Sequence, residues 1–104
     1  MKRNRRFFSS KQIMLRRVSG NSMAPTLRDG QVVVGHLTRE LTAGDVVIVS
    51  HNGVEKVKRI EKHEGDLVYL LGDNPGESTD SRTLGWLPAK TIVAKVIWPN
   101  LKRS

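Results

Sequence analysis

Six short runs rich in Val, Ile and Leu divide this chain, each bounded by Gly, Asn, Asp or Pro. They are residues 13–18, 31–37, 45–50, 54–60, 67–71 and 91–98. Apolar runs this short and this closely spaced read as strands. Asn52-Gly53, between two of them, reads as a hairpin turn because both residues tolerate positive φ. Glu64-Gly65-Asp66 reads as a second turn. A helical period is not sustained anywhere over about ten residues, although short helical turns fit residues 23–27 and 88–90. The expectation is an all-β (mostly β) fold of short antiparallel strands with few helical turns.

The 104 residues suffice for one small domain with little stability to spare. Charge divides it unevenly. The first 17 residues hold seven basic side chains (Lys2, Arg3, Arg5, Arg6, Lys11, Arg16, Arg17) and no acid, whereas the net charge of the whole chain is +8. We therefore read residues 1–17 as a basic arm and residues 18–104 as the domain proper. Such an arm is a solvated tail or a contact for anionic lipid or nucleic acid. The domain proper is almost neutral and the chain has only five aromatic residues, with no evident stacking pair, so nucleic acid is a poor match.

Other classes drop out on composition. With no cysteine there is no disulfide, thiolate metal site or Cys nucleophile. No metal-ligand spacing or cofactor motif is present, so neither metal nor cofactor is expected. The longest apolar run is Leu67-Val68-Tyr69-Leu70-Leu71, far short of the about 20 residues a membrane-spanning helix needs. Phe7-Phe8 and Ile13-Met14-Leu15 are too short and interrupted for the apolar core of a signal peptide. With no anchor or signal visible, the expected location is the cytoplasm, with peripheral attachment to a membrane through residues 2–17 open.

Two loops look too elaborate to be connectors. Residues 19–30 hold Ser22 with Met23, Pro25 and Leu27; residues 72–85 hold Asp73, Asn74, Ser78, Asp80, Ser81 and Arg82. A long polar loop in a small domain is commonly functional, and these side chains can bond to one another and to backbone. Ser22 is a turn residue or a nucleophile; as a nucleophile it needs a base. His36, His51 and His63 sit in no triad motif. In the run 54–60, alternation puts Val54, Lys56, Lys58 and Ile60 on one face and Glu55, Val57 and Arg59 on the other. A lysine packed among apolar neighbours loses hydration, which disfavours its charged form and lets the amine act as a base. Spacing does not choose between Lys56 and Lys58.

Four segments carry a resemblance. Ser19-Gly20-Asn21-Ser22-Met23-Ala24-Pro25-Thr26-Leu27 resembles the nucleophile motif of the signal peptidase I family. Gly44-Asp45-Val46-Val47-Ile48-Val49 is similar to the strand that follows it. Val57-Lys58-Arg59-Ile60 resembles the lysine motif. Leu71-Gly72-Asp73-Asn74, continuing through Ser78-Thr79-Asp80-Ser81-Arg82 to Gly85, resembles the loop that closes the site.

The resemblance implies a signal-peptidase-like catalytic core and a serine endopeptidase. Ser22 would be the nucleophile and Lys58 the general base, with Ser78 orienting the lysine amine. Asp80 would pair with Arg82, Asp73 and Asn74 would fix the loop's start, and Met23 and Pro25 would shape the substrate wall. The backbone N–H of Ser22 would join the oxyanion hole. Protein substrates would bind extended and be cut after small residues, releasing an N-terminal leader or signal sequence.

The departures are Gly20 where some members have an oxyanion serine, Pro75 where Arg is common, and no N-terminal anchor. Only thirteen residues separate Lys58 from Gly72, too few for the extra β domain of larger members. The short form, together with its closing residues 93–99, is similar to the subgroup that matures nickel-type superoxide dismutase. Two other readings compete. One is a self-cleaving repressor-type Ser/Lys domain, against which no Ala-Gly or Cys-Gly precedes Ser22. The other is a non-catalytic module that binds anionic lipid or nucleic acid through its basic arm.

Overall fold

A computed structural model describes residues 12–77 and 85–101. Seven strands form a single antiparallel sheet: β1 (Ile13–Arg17), β2 (Val32–His36), β3 (Val46–His51), β4 (Val54–Glu64), β5 (Leu67–Leu71), β6 (Leu87–Pro88) and β7 (Ile92–Trp98). Their order across the sheet is β1-β2-β7-β3-β4-β5-β6. The mostly-β expectation holds. Short 3₁₀ turns at Pro75–Glu77 and Ala89–Thr91 are the helical content described. Among the described residues no helix is long and apolar enough to cross a membrane.

The hairpin signal works as expected. Asn52 (φ 53°) and Gly53 (φ 78°) both take the left-handed conformation and join β3 to β4 in register, Val47 opposite Lys58 and Val46 opposite Arg59. Two boundaries differ from the sequence reading. Strand β4 runs on to Glu64, accommodated by a register shift against β5 between Ile60 and Lys62. The two-residue β6 was not foreseen; it pairs Val68 with Leu87 and Leu67 with Pro88 at the sheet's edge, where a proline's missing N–H costs no ladder bond.

The last strand in sequence, β7, lies between β2 and β3 and makes β3 a central strand. Both faces of β3 are consequently buried, which is why Val46, Val47, Ile48 and Val49 run on without polar alternation. Val46 and Ile48 join a core with Val18, Met23, Leu27, Val33, Ala94 and Val96. Val47 and Val49 join a second core with Ile60, Val68, Leu70 and Leu87. Where β2 crosses the first core it carries Gly35. A Cβ there would meet Ile48 Cδ1 at 3.0 Å, Ala94 Cβ at 3.1 Å and Met14 Cγ at 3.2 Å, so only glycine packs without displacement.

Candidate active site

The chain leaves β1 at Val18 and enters a compact turn before β2. Gly20 takes φ 87°, and its N–H donates to Asp29 Oδ1 at 2.7 Å. Ala24 N–H bonds Asn21 O at 3.1 Å, and Leu27 N–H bonds Met23 O at 2.9 Å, closing two successive turns, the first of which holds Ser22. Met23 and Leu27 are fully buried in the first core and anchor this turn. Ser22 itself is half-buried.

The turn is also tied to the segment after β5. Asn74 N–H donates to Ser22 O at 2.8 Å, and Asn74 Nδ2 donates to Asn21 O at 3.1 Å. Asp73 N–H donates to Met23 Sδ at 3.4 Å, and the Thr26 hydroxyl donates to Asp73 Oδ2 at 2.6 Å. Asp73 and Asn74 thus tie down the turn that carries Ser22.

Ser22, Met23 and Lys58 line one cleft of about 370 Å³. One wall is the end of β1 and the turn after it, residues 16–23. The other is the start of β4, residues 54–58, with Ile48 between them. Arg16 and Glu55 face each other across the rim, Nε to Oε1 at 2.7 Å and Nη2 to Oε2 at 3.3 Å. The hydrogen bond to Glu55, and then its charge, hold the Arg16 guanidinium above its ordinary pKa.

Of the candidate bases, both Lys56 and Lys58 line the cleft and none of the three histidines does. Burial separates the two lysines: Lys58 is 3% exposed, while Lys56 is only half-buried. His63 instead places Nδ1 3.1 Å from Leu41 O and Nε2 3.0 Å from Gly65 O, a turn-holding role. Pro25 is exposed and lies outside the lining of the cleft. Ser78, Asp80 and Arg82 lie outside the described residues.

Alternation set Arg59 on its proper face, its cross-strand partner Val46 belonging to the first core and Lys58's partner Val47 to the second, but gave no sign of its burial. The sequence reading assigned it no role of its own. The structure buries Lys58, Arg59 and Ile60 in succession, Arg59 at 3% exposure. Its guanidinium forks onto Asp73, Nε to Oδ1 at 2.9 Å and Nη2 to Oδ2 at 2.7 Å, while Nη1 donates to Gly44 O and Leu101 O, both at 2.8 Å. A buried guanidinium is tolerable because its donors are matched this fully. Thr26 also went unremarked. The signal was an arginine directly after Lys58 and an aspartate in the segment after β5, a pairing that sequence alone does not place in space.

The profile of the Peptidase S24-like family matches residues 2–97. The chain is 35% identical over 112 residues to mitochondrial inner membrane protease subunit 1 of Schizosaccharomyces pombe, covering 79% of this chain and 71% of that one. It is 40% identical over 73 residues to the LexA repressor of Pseudomonas aeruginosa, covering 69% of this chain and 35% of the repressor. The LexA repressor of Glaesserella parasuis is 38% identical over 72 residues, 68% of this chain and 34% of that protein. The chain thus spans about a third of the repressors' length.

Proposed function

Because the chain belongs to the Peptidase S24-like family, we propose that it is a serine-type endopeptidase whose nucleophile is Ser22 and whose general base is Lys58. The observation that carries this is the pairing, on facing walls of one cleft, of a serine in a braced turn with a nearly fully buried lysine. Burial withholds water from an amine, which favours the neutral form that a base requires.

In this mechanism an extended peptide lies in the cleft between the β1 and β4 walls. The Ser22 hydroxyl oxygen attacks the carbonyl carbon of the scissile bond while Lys58 Nζ accepts the hydroxyl proton. The backbone N–H of Ser22 stabilises the resulting oxyanion. Collapse breaks the C–N bond, and Lys58 gives its proton to the leaving amine. Water, deprotonated by Lys58, then hydrolyses the acyl-serine. Asp73 and Asn74 hold the serine turn in place, and the role of orienting the Lys58 amine falls by the family resemblance to Ser78, which lies outside the described residues. Small residues precede the cut, as the likeness to signal peptidases implies for removal of an N-terminal leader.

The likeness to the LexA repressors supports a second reading, a repressor-type domain that cuts its own chain. The two separate in one experiment. Wild type and Ser22→Ala are incubated with a peptide library and read by mass spectrometry. New peptide termini after small residues, made by wild type alone, support the endopeptidase. Shortening of the protein itself, with the library untouched, supports the second reading. Intact library and intact protein together would overturn both.

A further inference from the structure

The cleft runs between two strand edges that carry no ladder partner among the described residues. β1 stands at one end of the sheet and pairs with β2 alone. On β4, pairing with β5 begins only at Arg59, so residues 54–58 have β3 as their one neighbour. All five of those residues line the cleft, although alternation turns them to two faces. A strand that shows consecutive residues to a cavity presents its edge to it. Such edges offer the backbone groups with which an extended peptide pairs.

One ion pair spans this gap. Arg16 reaches from the β1 edge to Glu55 on the β4 edge through two bonds, Nε to Oε1 at 2.7 Å and Nη2 to Oε2 at 3.3 Å. Its Nη1 is held by Leu15 O at 3.0 Å, which fixes the guanidinium in place. The partners are 39 positions apart in sequence, so the bridge joins the two walls rather than neighbours on one strand. Arg16 is two residues from Met14, and Glu55 two from Val57, and both of those pack on the first core. The bridge therefore stands on the same side as the apolar lining of the cleft, Val18, Met23, Ile48 and Val57.

The two side chains are 40% and 39% exposed. An ion pair this open to water holds weakly, biasing an equilibrium by about fivefold at most. That is enough to keep the gap closed for most of the time and too little to resist a binding peptide.

We propose that the Arg16–Glu55 pair is a latch across the cleft, closed in the free protein, which a peptide must open to reach the two strand edges. The inference rests on the reading of the cleft as a peptide site. Apparent affinity is then the intrinsic affinity reduced by the fraction of open latch. The effect falls on KM and leaves kcat alone, because neither side chain takes part in the chemistry.

The test compares the parent, Arg16→Ala, Glu55→Ala and the exchanged pair Arg16→Glu/Glu55→Arg, with circular dichroism to check folding. In a Ser22→Ala background each is offered a library of short peptides, capped at both ends and free of ionisable side chains. Capture is read by mass spectrometry, and fluorescence anisotropy gives Kd for the peptide captured most. At low salt both single variants are expected to bind roughly two- to fivefold more tightly than the parent, and the exchanged pair to return to the parent's value. Rising salt should bring the parent to the level of the single variants while theirs barely moves. With Ser22 restored, the same ratio should appear in KM at constant kcat. Equal Kd in parent and single variants would overturn the latch. So would weaker binding by both, which would make the pair a tie that holds the walls in place, or capture of no peptide by any of the proteins. Cleavage by wild type with a Kd indifferent to the pair removes this proposal alone. Capture that follows the pair, with no cleavage by the proteins that keep Ser22, supports the latch and removes only the peptidase reading.

Discussion

Arg59 and Asp73 are joined by two parallel charge-assisted hydrogen bonds, 2.9 and 2.7 Å long, with side chains only 4% and 13% exposed. The pair fastens the strand that carries Lys58 to the segment that holds the Ser22 turn. Breaking one side strands the other charge in the interior. Asp73→Leu and Arg59→Met are each expected to cost about 3–5 kcal/mol of stability. Combining Arg59→Met with Asp73→Leu should cost less than the two single losses added together. Urea unfolding of the four proteins, read as a double-mutant cycle, measures this.

Thr26 supplies the third bond to Asp73, at 2.6 Å. Thr26→Val keeps the shape and removes the donor. The expected loss is about 1.5–3 kcal/mol, the range for a hydrogen bond to a charged group. Because the bond ties the Ser22 turn, the peptide-cleavage rate should fall as well, while Ser22→Ala should remove cleavage and leave the melting temperature nearly unchanged.

If Lys58 is the base, cleavage should rise with pH through one ionisation, because its amine must be unprotonated to accept the serine proton. The limb should vanish in Lys58→Met, which roughly fills the same space without a base. Lys58→Arg should not rescue activity at any pH, since a guanidinium stays charged. Lys56→Met should keep both the activity and the limb. A rate–pH profile of these proteins on one peptide decides the point; a limb that survives Lys58→Met would assign the proton to another group.

Gly35→Ala should destabilise the fold by about 1–3 kcal/mol, the usual range for overpacking. Its new methyl would meet Ala94 Cβ at 3.1 Å, a group with no rotamer to yield, as well as the more adjustable tips of Ile48 and Met14. Pairing the substitution with Ile48→Val should recover part of the loss, measured by thermal unfolding. Full additivity would show that Ile48 is not the contact that matters.

Much of the architecture was legible because its causes are local. Asn52-Gly53 specifies a turn through the φ values its two residues accept, and the apolar runs specify strands through period and branching. β6 was not legible, since two residues with a proline carry no pattern. The four motif segments pointed to Ser22, Lys58, Asp73 and Asn74 before any coordinate, and the structure sets Ser22 and Lys58 along one cleft, with Asp73 and Asn74 bracing the serine turn.

The sequence by itself determined the strand material, the hairpin and the identity of the chemical groups. It did so because turn preference, alternation and motif order are properties of neighbouring residues. Only the tertiary structure decided that β7 inserts between β2 and β3, burying both faces of β3. Alternation left Lys56 and Lys58 equivalent, and it was the fold that parted them by burial and supplied in Asp73, Gly44 and Leu101 the acceptors that let Arg59 be buried. Burial and pairing depend on groups far away in the chain, and no local pattern encodes which of two lysines will be sealed from water.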